Sequence, residues 1–436
     1  MQKTKVAIVG LGTVGTGVAR LLLDYGDRTA RHAGRTLWLQ RVVVRDRYKP
    51  RDVDLPEGIL TDDLGAVLDD DEIEAVAVLI GGIEPERTII HRLLESGKNI
   101  VTANKLLLAE YGGELFDRAR ELGRTIAFEA AVAGGIPIIT NISQCLSANE
   151  ITGIQAILNG TSNFILTRME QEGCDYQAAL REAQARGYAE ADPTMDVDGS
   201  DAAQKLAILA HLAFGARVPW REIPRRGIDI VDRADIHYAR ELGYRIKLLA
   251  VADVVPDGLE LHVAPTLVRQ GTPLAEVRGA YNAISVKADA VGRVFFHGMG
   301  AGMMPTASAV VADLIDTTVG RTAITFRTLE LWSQRYAVVS PRDPGKIPGR
   351  FYLRFEVEDR PGVMAEITGV LGRKGISIAS VIQHEPNTPD ATSVPLVIMT
   401  HETTEGATLA AVQEIQHLAC CRSACVRLRV HDGSVE

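Results

Sequence analysis

The densest chemistry in the chain lies between Gly187 and Lys205, in the run GYAEADPTMDVDGSDAAQK. Five carboxylates, Glu190, Asp192, Asp196, Asp198 and Asp201, precede Lys205 within sixteen residues. A calcium loop in this register would put its first ligand at Thr194 and its twelfth at Lys205, and a cation where a bidentate glutamate belongs excludes it. A solvated acidic helix start would pair Asp201 with Lys205, four residues on, as a surface ion pair. An amino-acid substrate would use the same mixture differently: carboxylates for its ammonium, and a lysine whose shifted pKa lets it move a proton. Spacing alone leaves the last two readings open.

A second constellation opens the chain. An apolar run at residues 5–9 leads into Gly10-Leu11-Gly12-Thr13-Val14-Gly15, and a helical pattern follows over 14–23. A lone GxGxxG is weak evidence, but between a strand and a helix it describes a dinucleotide site. Gly10 permits the tight turn, Gly12 lets backbone approach a pyrophosphate, and Gly15 lets helix pack on strand. The helix N-terminus then offers free N–H groups to the phosphates. Beyond the second strand stand Arg45, Asp46, Arg47, Lys49 and Arg51. Asp46 suits a ribose 2′-hydroxyl, whereas Arg45 or Arg47 suits a 2′-phosphate. The positive cluster favours NADP over NAD.

These residues need a scaffold. Strand patterns at 37–44, 73–80, 99–102 and 125–129 alternate with helical patterns at 87–95 and 114–121, which predicts a parallel sheet covered on both faces. From residue 136 the texture changes: a strand at 151–158, a helix-rich stretch to about 214, then segments 246–254, 259–268 and 286–296 that read as antiparallel sheet. Gly298, Gly300 and Gly302 form a loop before a helix at 305–316. Proline and glycine density over 340–349 reads as a linker. After it, strand 351–357, helix 363–371, strands 377–383 and 394–400, helix 408–418 and strand 426–430 give βαββαβ, a ferredoxin-like order. The fold class is therefore α/β, with a Rossmann domain over 1–135 completed by 303–335 and an α+β substrate and dimerisation domain over 136–302. A linker over 336–350 and a C-terminal unit over 351–436 complete it, and that unit should be separable.

Bulk properties narrow the partners. A formal charge of −9 argues against nucleic acid or an anionic membrane as a main partner. No apolar stretch is long enough to span a membrane. The N-terminus runs straight into a strand pattern without a signal sequence. Five irregularly spaced cysteines fit neither a disulfide framework nor a CxxC metal site, which suggests a reducing cytoplasm.

The segment AQARGYAEADPTMDVDGSDAAQK resembles the homoserine dehydrogenase signature along its whole length. The pieces Val101-Thr-Ala-Asn104-Lys105, Phe128-Glu129-Ala-Ala-Val132-Ala-Gly134-Gly-Ile136-Pro137, Ile157-Leu-Asn159-Gly160-Thr161-Ser162-Asn163 and Leu242-Gly-Tyr-Arg-Ile-Lys247 agree with it. The resemblance implies interconversion of L-homoserine and L-aspartate 4-semialdehyde with a nicotinamide cofactor. It implies Lys205 as the acid/base, Lys105 assisting at the cofactor edge, and Glu190 and Asp201, with Asp196, holding the substrate. It places Gly187 and Gly302 against the cofactor. It also implies a sodium ion at Glu129, Val132, Gly134 and Ile136.

Asp359-Arg-Pro361-Gly362-Val363 at a strand-to-helix turn resembles an ACT domain, a module that binds amino acids, usually between paired copies. Threonine is the effector this implies, and a homodimer or homotetramer the assembly. With no kinase-like segment upstream, the monofunctional form is expected. Two rivals differ in class. An acylating semialdehyde dehydrogenase needs a thiolate, for which Cys145 and Cys174 lack an evident base in sequence. A non-catalytic nucleotide and amino-acid sensor would not need both Lys105 and Lys205.

Overall fold

The computed structural model describes residues 3–332, 339–385 and 392–433. Residues 333–338, which include the start of the expected linker, and 386–391 and 434–436 of the expected C-terminal unit lie outside the described residues. The chain forms two compact units. The first comprises Met1–Thr152, Gln204–Glu222 and Asn282–Val339; the second comprises Gly153–Ala203, Ile223–Tyr281 and Ser340–Glu436.

The first unit is built on a parallel sheet. Strands β1 (Lys3–Val9), β2 (Thr36–Val43), β3 (Leu60–Thr61), β4 (Ile73–Val78), β5 (Asn99–Thr102) and β6 (Ile126–Ala127) lie in the order β3-β2-β1-β4-β5-β6. All neighbouring pairs are parallel. Val6, Ile8, Ala75, Ala77 and Val101 are buried, as expected of strands covered on both faces. Helix α1 (Thr13–Asp24) follows β1 directly, and helix α2 (Lys105–Glu121) follows β5. The sequence pattern places only the second half of α2, because Gly112 and Gly113 interrupt its periodicity. The structure gives Gly112 a packing role: a Cβ there would lie 2.9 Å from the Trp332 ring.

The second unit contains strands β7 (Ile151–Ile157), β8 (Tyr244–Val255) and β9 (Gly258–Arg269), with helix α3 (Gly160–Glu172) after β7; helix α4 (Ser200–Phe214) begins in this unit and from Gln204, Lys205 included, belongs to the first. Strands β8 and β9 form a long antiparallel hairpin through a tight turn at Pro256-Asp257. The chain returns to the first unit with strands β10 (Tyr281–Ala288) and β11 (Gly292–Met299) and helix α5 (Met303–Thr318). Helix α5 lies on α1, where a Cβ at Gly17 would meet Ala307 at 2.9 Å. Helix α5 thus belongs to the same unit as the parallel sheet.

The βαββαβ unit runs β12 (Pro348–Glu358), α6 (Val363–Arg373), β13 (Ile378–Gln383), β14 (Ser393–Thr400), a short β15 (Thr403–Thr404), α7 (Glu405–Gln416) and β16 (Val426–His431). Phe351, Leu353, Phe355 and Val357 alternate into its core against Ile367, Leu371 and Ile415. Its last strand also pairs in parallel with β9, Arg429 opposite Thr266 and His431 opposite Val268. The sheet therefore continues through β7-β8-β9-β16-β12-β14-β13 without a break. The described part of the expected linker also lies along β9: Arg342 N–H donates to Leu259 and Leu259 N–H to Ser340.

Candidate active site

The glycine loop of the first unit answers to three separate demands. Gly10 has φ +99°, and a Cβ there would lie 2.7 Å from the Leu79 carbonyl oxygen. A Cβ at Gly15 would lie 2.1 Å from the carbonyl oxygen of Gly10, so helix and turn touch backbone to backbone. At Gly12 nothing lies within 4 Å of that position. That open side is where a pyrophosphate would meet the N-terminus of α1. Leu11, Thr13 and Val14 complete the turn. Arg45 is exposed just beyond β2, within an arginine-rich loop where Asp46 caps the Tyr48 N–H and its carbonyl accepts from Arg51.

Lys105 is the first residue of α2, immediately beyond β5. Asn104 caps this helix by accepting from Leu107 N–H, and its amide reaches the Gly82 carbonyl. Sequence reasoning missed the residue that ties this edge together. Glu86 is fully buried and accepts from Gly81 N–H at 2.7 Å and from the Thr102 hydroxyl at 3.0 Å. It thereby ties the segment that follows β4 to the last residue of β5. Burial pushes its carboxyl up from the usual range, despite these donors. Its only sequence signal, an acid in the first turn of a helix, reads as an ordinary dipole match. Gly302, with φ +120°, stands at the start of α5, one residue before the Met303 that packs on Gly17 of α1.

In the second unit the signature carboxylates are gathered by Asn159. This residue caps α3 by accepting from Ser162 N–H at 2.8 Å. Its own amide donates to Asp196 at 2.8 Å and to Asp201 at 2.9 Å. The Ser162 hydroxyl donates to the Asp196 carbonyl, and the Thr161 hydroxyl to that of Tyr188. The Asn159–Ser162 turn thus clasps the loop that precedes α4. Asp201 is buried, Asp196 half-buried and Glu190 exposed. Gly187 takes φ +74° at the end of the preceding helix, whose Gln184 side chain donates to the Glu190 carbonyl. Asp192 and Asp198 serve the backbone instead, capping Thr194 and Ser200. Lys205 lies one turn beyond Asp201 on α4. Lys247, in another matching motif, is structural: buried, pushed down to about 8 by desolvation, it donates to Asn163 and to the Val277 carbonyl.

The expected sodium ligands form one turn of the first unit. Glu129 accepts from Ile139 N–H, Thr140 N–H and the Thr140 hydroxyl. Three of the roughly four acceptor positions of a carboxylate are therefore in use. Ala133 and Gly134 both take positive φ, which turns the peptide groups of Val132, Gly134 and Ile136 out of helical register. One carboxylate with peptide oxygens offers hard oxygen donors only, the type of donor a sodium ion would take; the Ile136 carbonyl already accepts from Ile138 N–H. Of the thiols in the rival reading, burial raises that of Cys174, the opposite of an activated nucleophile. The Gly362 turn has φ +95° at the N-terminus of α6 and is exposed.

Comparisons with known proteins give the family. The family model "Homoserine dehydrogenase" matches residues 137–315, "Homoserine dehydrogenase, NAD binding domain" matches 10–129, and "ACT domain" matches 351–417. A homoserine dehydrogenase of Synechocystis is 43% identical over 95% of this chain and 96% of its own. The crystal structure of a homoserine dehydrogenase from Thiobacillus denitrificans superposes with a TM-score of 0.91 at 41% identity, covering 99% of each chain. A hyperthermophilic archaeal homoserine dehydrogenase in complex with NADPH matches 73% of this chain and 98% of its own, with a TM-score of 0.61 at 27% identity. The chain belongs to the homoserine dehydrogenase family, NAD(P)-dependent oxidoreductases acting on a CH–OH group, and carries a C-terminal ACT domain.

Proposed function

We propose that Asp196, Asp201 and Glu190 hold L-homoserine or L-aspartate 4-semialdehyde by the ammonium, and that Lys205 transfers the hydroxyl proton. The observation that carries this reading is Asn159, whose one amide brings two carboxylates of the signature together a helical turn before Lys205. A neutral donor between two carboxylates tolerates their proximity without cancelling their charge, which suits them to a cationic ligand. When bound, the nicotinamide supplies hydride acceptance or donation. Lys205 gives up a proton as the alcohol forms and takes one as it is oxidised, and Lys105 assists at the cofactor edge. Gly10 to Gly15 and Gly302 face the nucleotide, and the family resemblance adds Gly187 to the cofactor-binding residues.

NADP is the preferred cofactor in this reading, on the strength of Arg45 and its cationic neighbours, and NADPH is what the archaeal relative holds. Sodium at the Glu129 turn orders that turn and takes no chemical step. Threonine at the Gly362 turn of paired ACT domains, in a homodimer or homotetramer, lowers activity. One assay tests the core of this: NADPH and NADH oxidation with aspartate semialdehyde, with and without threonine. Absence of semialdehyde-dependent oxidation with either nucleotide would overturn the catalytic reading. Replacing sodium by choline should lower the unfolding midpoint if the ion is held at Glu129.

A further inference from the structure

Lys105 opens α2, and Lys205 stands near the start of the part of α4 that belongs to the first unit. Further along, both helices are bolted to the same two residues of that unit. The Leu331 carbonyl accepts from the Arg120 guanidinium of α2 at 2.5 Å. The Trp332 N–H donates to Nε2 of His211 on α4 at 2.7 Å, and its carbonyl accepts from Arg217, just beyond α4, at 2.6 Å. The Trp332 ring then touches both helices. It stacks on the His211 ring, 4.3 Å between centroids and 18° between planes, and packs on Phe116 of α2 at 4.5 Å. A Cβ at Gly112 of α2 would lie 2.9 Å from it. Glu330 and Trp332 both take positive φ, +43° and +56°, a conformation that residues with side chains hold only where their surroundings fix it. A second clamp lies alongside: Glu110 of α2 accepts from Trp220 Nε1 at 2.6 Å and pairs with Arg221.

We propose that Trp332 is a positioning residue for the reaction: its ring sets the spacing of α2 and α4, and so the place of Lys105 relative to Lys205. This rests on the reading of the two lysines given above. Packing alone would not need the surrounding bonds. The Trp332 N–H and both carbonyls are each spent on one of the two helices or its extension, which defines the ring's position against both. At a rise of about 1.5 Å per residue, Lys205 stands about 9 Å along α4 from His211, and Lys105 about 10 Å along α2 from Gly112. Close-packed helical arms of two turns transmit a displacement rather than absorb it. Misplacing a proton-transferring group by about 1 Å costs on the order of a hundredfold in rate. A smaller side chain at 332 removes the common stop, and a larger one at 112 pushes it off α2.

The test measures semialdehyde reduction by the full chain, with whichever of NADPH and NADH turns over faster. Trp332→Leu should lower kcat roughly ten- to a hundredfold, while KM for the semialdehyde and Kd for the nucleotide stay within about threefold of wild type. Trp332→Phe should recover most of the loss. Gly112→Ala, which presses a methyl group on the ring from α2, should also lower kcat, and it decides if Trp332→Leu does not fold. The sharper readout is a cycle with Lys205→Ala. Spacing between two lysines matters only while both are present, so in the Lys205→Ala background either substitution should cost less than about threefold. An equal fold-loss in both backgrounds would leave Trp332 a purely structural residue and overturn the proposal, as would single variants with wild-type kcat. Wild-type turnover in Lys205→Ala would instead sink the reading of that lysine, and this proposal with it.

Discussion

Asn159 shows how much a single neutral side chain organises. Its carbonyl oxygen caps α3 while its amide nitrogen spans Asp196 and Asp201. Asn159→Ala should therefore raise KM for homoserine about ten- to a hundredfold through loss of bonds to charged groups, while nucleotide affinity holds. Equal loss of both, by direct titration, would mean that the turn rather than the carboxylates had been damaged. Lys205→Ala should lower kcat by roughly 10²–10⁴, the contribution typical of a general acid or base, with nucleotide binding intact. Turnover within a few-fold of wild type would give Lys205 another job. The carboxylates, the lysines and the glycines were legible because their types are rare at such spacings. Glu86 was not, because nothing in sequence places an acid in a helix's first turn next to a threonine sixteen residues on.

Helix α4 carries Asp201 and Lys205 at one end and His211 further along. The His211 ring stacks on Trp332; its Nδ1 lies against the Ala216 carbonyl and its Nε2 accepts from Trp332 N–H at 2.7 Å. Only the neutral ring can accept that bond, and burial lowers its pKa from 6.5 to about 4. Because the folded value lies below the unfolded one, this stabilisation is full above pH 6.5 and is lost as pH falls towards 4. Between pH 7 and 5 the loss is about 2 kcal/mol. Thermal unfolding of His211→Gln should show a flatter pH dependence over that window, and an unchanged slope would assign the acid sensitivity elsewhere. Element types were readable from periodicity in both sheets. Extents were not where packing overrides propensity: α2 runs through Gly112-Gly113 because Trp332 needs the space a side chain would fill.

The βαββαβ order was legible as a repeat of strand and helix periods, but its attachment was not, since parallel pairing between β9 and β16 leaves no mark on either strand. That attachment changes what removal of the C-terminal unit should do. Asp235 is fully buried and accepts from Arg354 and from the Tyr352 hydroxyl, both on β12. A chain ending at Arg342 takes Arg354 and Tyr352 away from that carboxylate, leaving it the Asp232 N–H, and bares the edge of β9. It should unfold earlier and associate, rather than simply lose its response to threonine. Adding Asp235→Asn should recover part of the stability. A monodisperse, fully stable truncated chain in sedimentation and thermal unfolding would show the attachment to be weak. The same joint has a meaning during synthesis. Strand β9 is complete at Arg269, while its partner begins only at Val426. At ribosomal speeds of about 5–20 residues per second, those intervening residues take roughly ten to thirty seconds. Throughout that interval Thr266–Val268 of the nascent chain wait unpaired on the edge of β9, so slowing translation between β9 and β16 should lower the yield of folded chain.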